Sequence, residues 1–169
     1  MNKILVWAAV LTLVLDQITK IIIVFWMDLI SKGQIDILPG FIHFHMAWNT
    51  GINFGLFADQ GDLVRWVLIA VALVVCVFVG YWMRQEREPT ALIAAGLVIG
   101  GALGNSLDRI FYGGVADFLN MTCCGIRNPY SFNVADIAIF VGLFGLIIFS
   151  TDEQKTLSLI HISEPTRPS

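Results

Sequence analysis

Four long apolar runs, Ile4–Met27, Leu63–Met83, Ala91–Leu107 and Val134–Ser150, alternate with polar stretches along the chain. Each can cross a hydrocarbon core of ~30 Å as a helix of about 20 residues. The pattern predicts an all-α membrane protein with four transmembrane helices. The first run follows Met1–Asn2–Lys3 as a cleavable leader would, yet it resumes through Ile21–Trp26 with no small-residue cleavage site. It reads as a retained helix.

A different period appears between the first two runs. In Ile42–Asn49 the apolar Ile42, Phe44, Met46 and Trp48 alternate with His43, His45, Ala47 and Asn49, after a Pro39–Gly40 turn signal. Such alternation predicts a small β element on the extracytoplasmic surface, its apolar face toward lipid or the helices. Residues 1–155 read as a single membrane-embedded domain. Residues 156–169, ending Ser163–Glu164–Pro165–Thr166–Arg167–Pro168–Ser169, read as a polar tail, non-native in character.

Composition agrees: 57% of residues are hydrophobic and only 14% charged, outside the range of ordinary soluble domains. The net charge of -3 comes with scattered basic residues, so no basic stripe points to nucleic acid; the expected partners are membrane lipids and a membrane-borne substrate. Lys3, Arg84, Arg87 and Lys155 all fall on one side of a four-span topology, which predicts cytoplasmic termini and two outer loops. Of the three cysteines, Cys76 lies in an apolar run and Cys123 and Cys124 are adjacent, which is neither a disulfide framework nor a metal motif. His43 and His45 lack a third clustered ligand, so no metal or other cofactor is expected.

Ionisable groups inside spanning helices cost about 2.5–3.5 kcal/mol each on insertion scales, so each needs a reason. Asp16 and Lys20 are one turn apart and can pair, with Gln17 beside them. Gly96, Gly100 and Gly104 form a small-residue face for close helix approach, and Asp108 continues that track beside Asn105 and Arg109. Local pairing of Asp108 with Arg109 is the simplest reading there. Asp117 stands alone among Val115, Ala116, Phe118 and Leu119, where a carboxyl has a raised pKa; a plain interfacial aspartate is the alternative. Asn133 with Asp136 three residues later suits a helix N-terminus, and simple capping would explain both. The topology gathers these residues, with Asn49 and Gly51, at the outer membrane face. Acids and amides without a Ser/His or Cys/His pair suggest two-carboxylate acid/base chemistry.

Five segments in order then resemble the lipoprotein signal peptidase (signal peptidase II) family over roughly Met1–Ser150. They are Asp16–Gln17 with Lys20; Asn49–Thr50–Gly51 with Phe54; Gly100–Asn105 with Asp108–Arg109; Val115 with Asp117–Phe118; and Phe132–Asn133 with Ala135–Asp136. The resemblance implies an aspartic endopeptidase of the bacterial inner membrane, and a monomer is expected. It would remove the signal peptide from diacylglyceryl-modified prolipoproteins, cutting just before the lipidated cysteine. It also implies Asp117 and Asp136 as the catalytic dyad, with Asp16, Lys20, Asn49, Gly51, Asn105, Asp108, Arg109 and Asn133 lining or bracing the site. Within that dyad, the apolar setting of Asp117 favours the protonated form and the helix start at Asp136 the ionised one. Two rivals remain on sequence grounds: a small ion transporter using Asp16 and Lys20, and a non-enzymatic assembly factor packing through its glycine face.

Overall fold

The computed structural model describes residues 2–51, 61–122 and 128–162, with side chains described through residue 149. Phe54, Cys123 and Cys124 lie outside the described residues. Helix α1 spans Lys3–Lys20 and continues as a π-helical turn, Ile21–Trp26; a short α2, Leu29–Lys32, follows. Strands β1 (Gln34–Leu38) and β2 (Ile42–Asn49) come next, then α3 (Gly61–Trp82) and α4 (Pro89–Tyr112). Strand β3 (Val115–Met121) leads to α5 (Val134–Ile162).

Three helical stretches, Lys3–Trp26, Asp62–Trp82 and Pro89–Tyr112, are long and apolar enough to cross a membrane, while the apolar part of α5, Val134–Phe149, is shorter. The α5 backbone stays helical to Ile162, into the segment expected to be an aperiodic tail. Large apolar side chains such as Trp7, Leu11, Val74, Val77, Phe140 and Phe144 point outward. Around a bundle of apolar helices, that outward greasy surface suits lipid rather than water.

Helix α4 is the centre of the bundle, packed on α1, α3 and α5. Its glycines explain how the neighbours come so close. A Cβ on Gly96 would meet Ala8 and the Leu5 carbonyl, one on Gly100 the Ala9 carbonyl, and one on Gly101 the Ala135 carbonyl at 2.6 Å. The expected close-packing face is therefore real, and α1 is the helix that uses it. Because the obstruction is backbone, Gly100→Ala should destabilise the protein by about 1–3 kcal/mol. A thermal melt in detergent that matches the wild type would contradict this.

The sheet has the antiparallel order β1-β2-β3. A turn at Gly40, with φ +82°, links β1 to β2, and Phe41 N–H bonds the Leu38 carbonyl at 2.9 Å. Beneath the sheet, Val24, Leu29, Ala116 and Phe118 form a core joined by Phe44 and Met46. Phe44 and Met46 are thus committed to the interior, and Trp48 stays exposed, its ring 5.7 Å from that of Tyr112.

Candidate active site

The C-terminal end of α4, the N-terminal end of α5 and the strands β2 and β3 bring Asp117 and Asp136 together around one side chain, Asn133. Asn133 heads α5, where its Oδ1 accepts from the Asp136 backbone N–H at 3.0 Å and its own N–H donates to Asp136 Oδ2 at 3.1 Å. This reciprocal cap fixes the Asn133 amide, so its Nδ2 must face away from the helix. There it donates to Asp117 Oδ1 at 2.7 Å and to Asn105 Oδ1 at 3.1 Å. Asn105, on the last turns of α4, in turn donates Nδ2 to Asp136 Oδ1 at 2.8 Å.

The fourth carboxylate oxygen, Asp117 Oδ2, accepts from Asn49 Nδ2 at 3.0 Å. Simple alternation along β2 would place Asn49 on the face of His43 and His45. A bulge prevents it. Phe44 pairs with Leu119 but Ala47 pairs with Asp117, so β2 spends one more residue than β3 between these pairs and changes face. Asn49 then lies beside Asp117. Gly51 completes the arrangement: its N–H bonds Asn49 Oδ1 at 3.0 Å, which leaves Nδ2 for Asp117. Its φ of +80°, and the 2.5 Å approach of Leu68 to a Cβ there, make glycine the residue that fits.

A second layer lies behind, in which Asp16, Lys20 and Asp108 are buried and Gln17 is partly so. Lys20 Nζ is 2.8 Å from Asp16 Oδ2 and 2.7 Å from Asp108 Oδ2. Gln17 Nε2 donates to both carboxylates at 3.0 Å. The Asp16–Lys20 pair is as expected, but Asp108 is bound to Lys20 and not to Arg109, so local pairing is corrected. The reason is geometric: α1 crosses α4 at Gly104, where a Cβ would sit 2.6 Å from Asp16 Oδ2. Arg109 instead donates Nη1 to the Asn105 carbonyl at 3.3 Å and keeps a buried Nε without a hydrogen-bond partner.

The sequence model described as signal peptidase (SPase) II matches residues 8–151. The chain belongs to the signal peptidase II family. A lipoprotein signal peptidase of Methylobacterium radiotolerans is 44% identical over 150 residues, 88% of this chain and 86% of its own length. One from Rhodopseudomonas palustris is 42% identical, with 84% and 88% covered. A solved bacterial membrane enzyme, 23% identical, superposes with a TM-score of 0.72 over 98% of this chain and 94% of its own, which shows the fold. As in this family generally, the chain is a membrane aspartic protease.

Within the signal peptidase II framework, the environment of each aspartate has chemical meaning. Asp117 is 3% exposed. Burial, joined by the neighbouring charge of Asp136, pushes its carboxyl up to about 6; hydrogen bonds from Asn49 and Asn133 and the Lys20 charge act the other way. The upward shift falls on the residue expected to hold the proton. At about 6, however, the free enzyme gives that proton up just below neutral pH. Asp136 is half-buried, so the pair opens on its side. Sequence reasoning missed the strand character of Val115–Met121, and with it the sheet register that aims Asp117.

Proposed function

We propose that Asp117 and Asp136 are the catalytic dyad with which this chain removes the signal peptide from diacylglyceryl-modified prolipoproteins, cutting just before the lipidated cysteine. The observation that carries the reading is the single asparagine, Asn133, hydrogen-bonded to both carboxyl groups at the end of an apolar bundle. Each of the four carboxylate oxygens receives one N–H, so each keeps lone-pair capacity for water or substrate.

In the working state one proton resides on Asp117, and Asp136 is ionised. Asp136 takes a proton from water as the water oxygen adds to the scissile carbonyl carbon, and Asp117 donates its proton to the carbonyl oxygen. The tetrahedral diol then collapses. Its C–N bond breaks, Asp136 returns a proton to the leaving cysteine nitrogen, and Asp117 recovers one from the diol hydroxyl. No covalent intermediate forms and no cofactor enters the steps.

The same reading makes residues 1–155 one membrane-embedded domain with four spans, working as a monomer in the bacterial inner membrane without nucleic acid. Both termini are cytoplasmic and the site is extracytoplasmic, supported by Lys3, Arg84, Arg87 and Lys155 on one side. Labelling of single cysteines should then place residues 84–88 inside; a label reaching them from outside would overturn this topology. Substrate class is tested with purified protein in nanodiscs given a lipidated and an unlipidated precursor. The expected product is a new N-terminus at the lipidated cysteine, by mass spectrometry, with the unlipidated precursor left intact. Equal cleavage of both would contradict the assignment.

A further inference from the structure

Lys20 makes no hydrogen bond to Asp117 or Asp136, yet everything it grips leads to one of them. Of the two carboxylates bound to Lys20, Asp16 also accepts, through Oδ1, the backbone N–H of Ala135 at 3.0 Å. Ala135 immediately precedes Asp136. The other, Asp108, accepts through Oδ2 the backbone N–H of Ala116 at 3.1 Å. Ala116 immediately precedes Asp117. The third contact of Lys20, at 3.3 Å, is Asn105 Oδ1, whose opposite end holds Asp136.

We infer that Lys20 is a positioning residue for the hydrolysis: through Asp16, Asp108 and Asn105 it fixes the separation of Asp117 and Asp136. The inference rests on the assignment of those two aspartates as the dyad. The cluster ties α1 to α4, β3 and α5, the elements that carry the dyad and Asn105. Asp16 and Asp108 are fully buried and Lys20 is 4% exposed. Two ionised carboxylates cannot share a dry site without a cation, so the charge of Lys20 is what permits both anchors to exist together. An ion pair serving only to hold α1 against α4 would need neither backbone bond. Here the carboxylates spend acceptors on the N–H adjoining each catalytic aspartate. Loosening either anchor moves a reacting carboxyl without touching the surface where substrate rests.

The test is kinetic. Asp108→Leu is close to aspartate in size, offers no acceptor to the Ala116 N–H and leaves the Lys20–Asp16 pair balanced, so it cuts one anchor and is the variant expected to fold; Lys20→Met leaves two buried carboxyl groups without their cation and is the variant at risk. With folded protein quantified by gel filtration and thermal melting, Asp108→Leu should lower kcat about 100-fold while KM stays within about threefold. Lys20→Met should show the same split in whatever fraction folds, and if none folds the decision rests on Asp108→Leu. A fall in kcat per folded molecule smaller than about tenfold, or a loss carried by KM, would overturn the inference. Failure of the dyad reading is separately visible: it would show as turnover by Asp117→Asn or Asp136→Asn, whatever the Asp108 variant does.

Discussion

Asp117→Asn and Asp136→Asn are each expected to lower kcat by about 10⁴-fold while the protein remains folded in the membrane. Each removes one half of the acid/base pair: an amide at 136 cannot take the proton of water, and one at 117 cannot protonate the carbonyl oxygen. The fold should survive for reasons visible at the site. Asparagine has nearly the shape of aspartate, and at 117 it removes a charge that burial disfavours. The cost is one poorly matched contact, since Asn49 and Asn133 both present N–H groups to this side chain. That mismatch costs about 1–3 kcal/mol, well short of unfolding a packed bundle. Cleavage assays on purified variants, with thermal melts alongside, check both halves of the expectation. Turnover within tenfold of wild type in either variant would sink the dyad.

The second large effect is in pH. Since the working dyad holds one proton and Asp117 releases it as pH rises through about 6, kcat/KM should fall tenfold per unit above that point, reaching about 100-fold below its maximum near pH 8. Protonation of the base produces a second fall on the acid side. The profile is a bell, and because the two carboxyls are coupled its limbs are those of the pair, the alkaline one following the raised Asp117 carboxyl. In kcat the alkaline limb should lie at higher pH, because a lipid-bearing substrate covers Asp117 and removes more water from it. Initial rates across pH in nanodiscs, at low and at saturating substrate, separate the two. A kcat/KM that keeps rising into alkaline pH would exclude a shared proton.

Much of this was legible along the chain because it is local. The apolar runs, the β2 alternation, the Asp16–Lys20 turn and the Asn133–Asp136 cap each lie within a few residues, where spacing alone decides which groups meet. What escaped was non-local. Val115–Met121 is buried along most of its length, so it shows no alternation, and it pairs with a strand that lies far back in the sequence, Ile42 opposite Met121. The bulge in β2 leaves no clear sequence mark, yet it turns Asn49 from the histidine face to Asp117. The partner of Asp108 was misread for a similar cause: Arg109 is next in sequence, whereas Lys20 arrives on another helix through the gap at Gly104. The π-helical turn at Ile21–Trp26 was likewise invisible in an unbroken apolar run.

The claim at the centre is that Asp117 and Asp136 act as one unit, and a double-variant cycle measures that most directly. Purified wild type, Asp117→Asn, Asp136→Asn and the double variant would be compared on one lipidated precursor under single-turnover conditions. If the two carboxyls share one proton-transfer task, the first substitution removes nearly all the catalysis and the double variant is no slower than either single one. If the losses instead multiply, the two aspartates contribute independently and the shared-proton dyad is wrong.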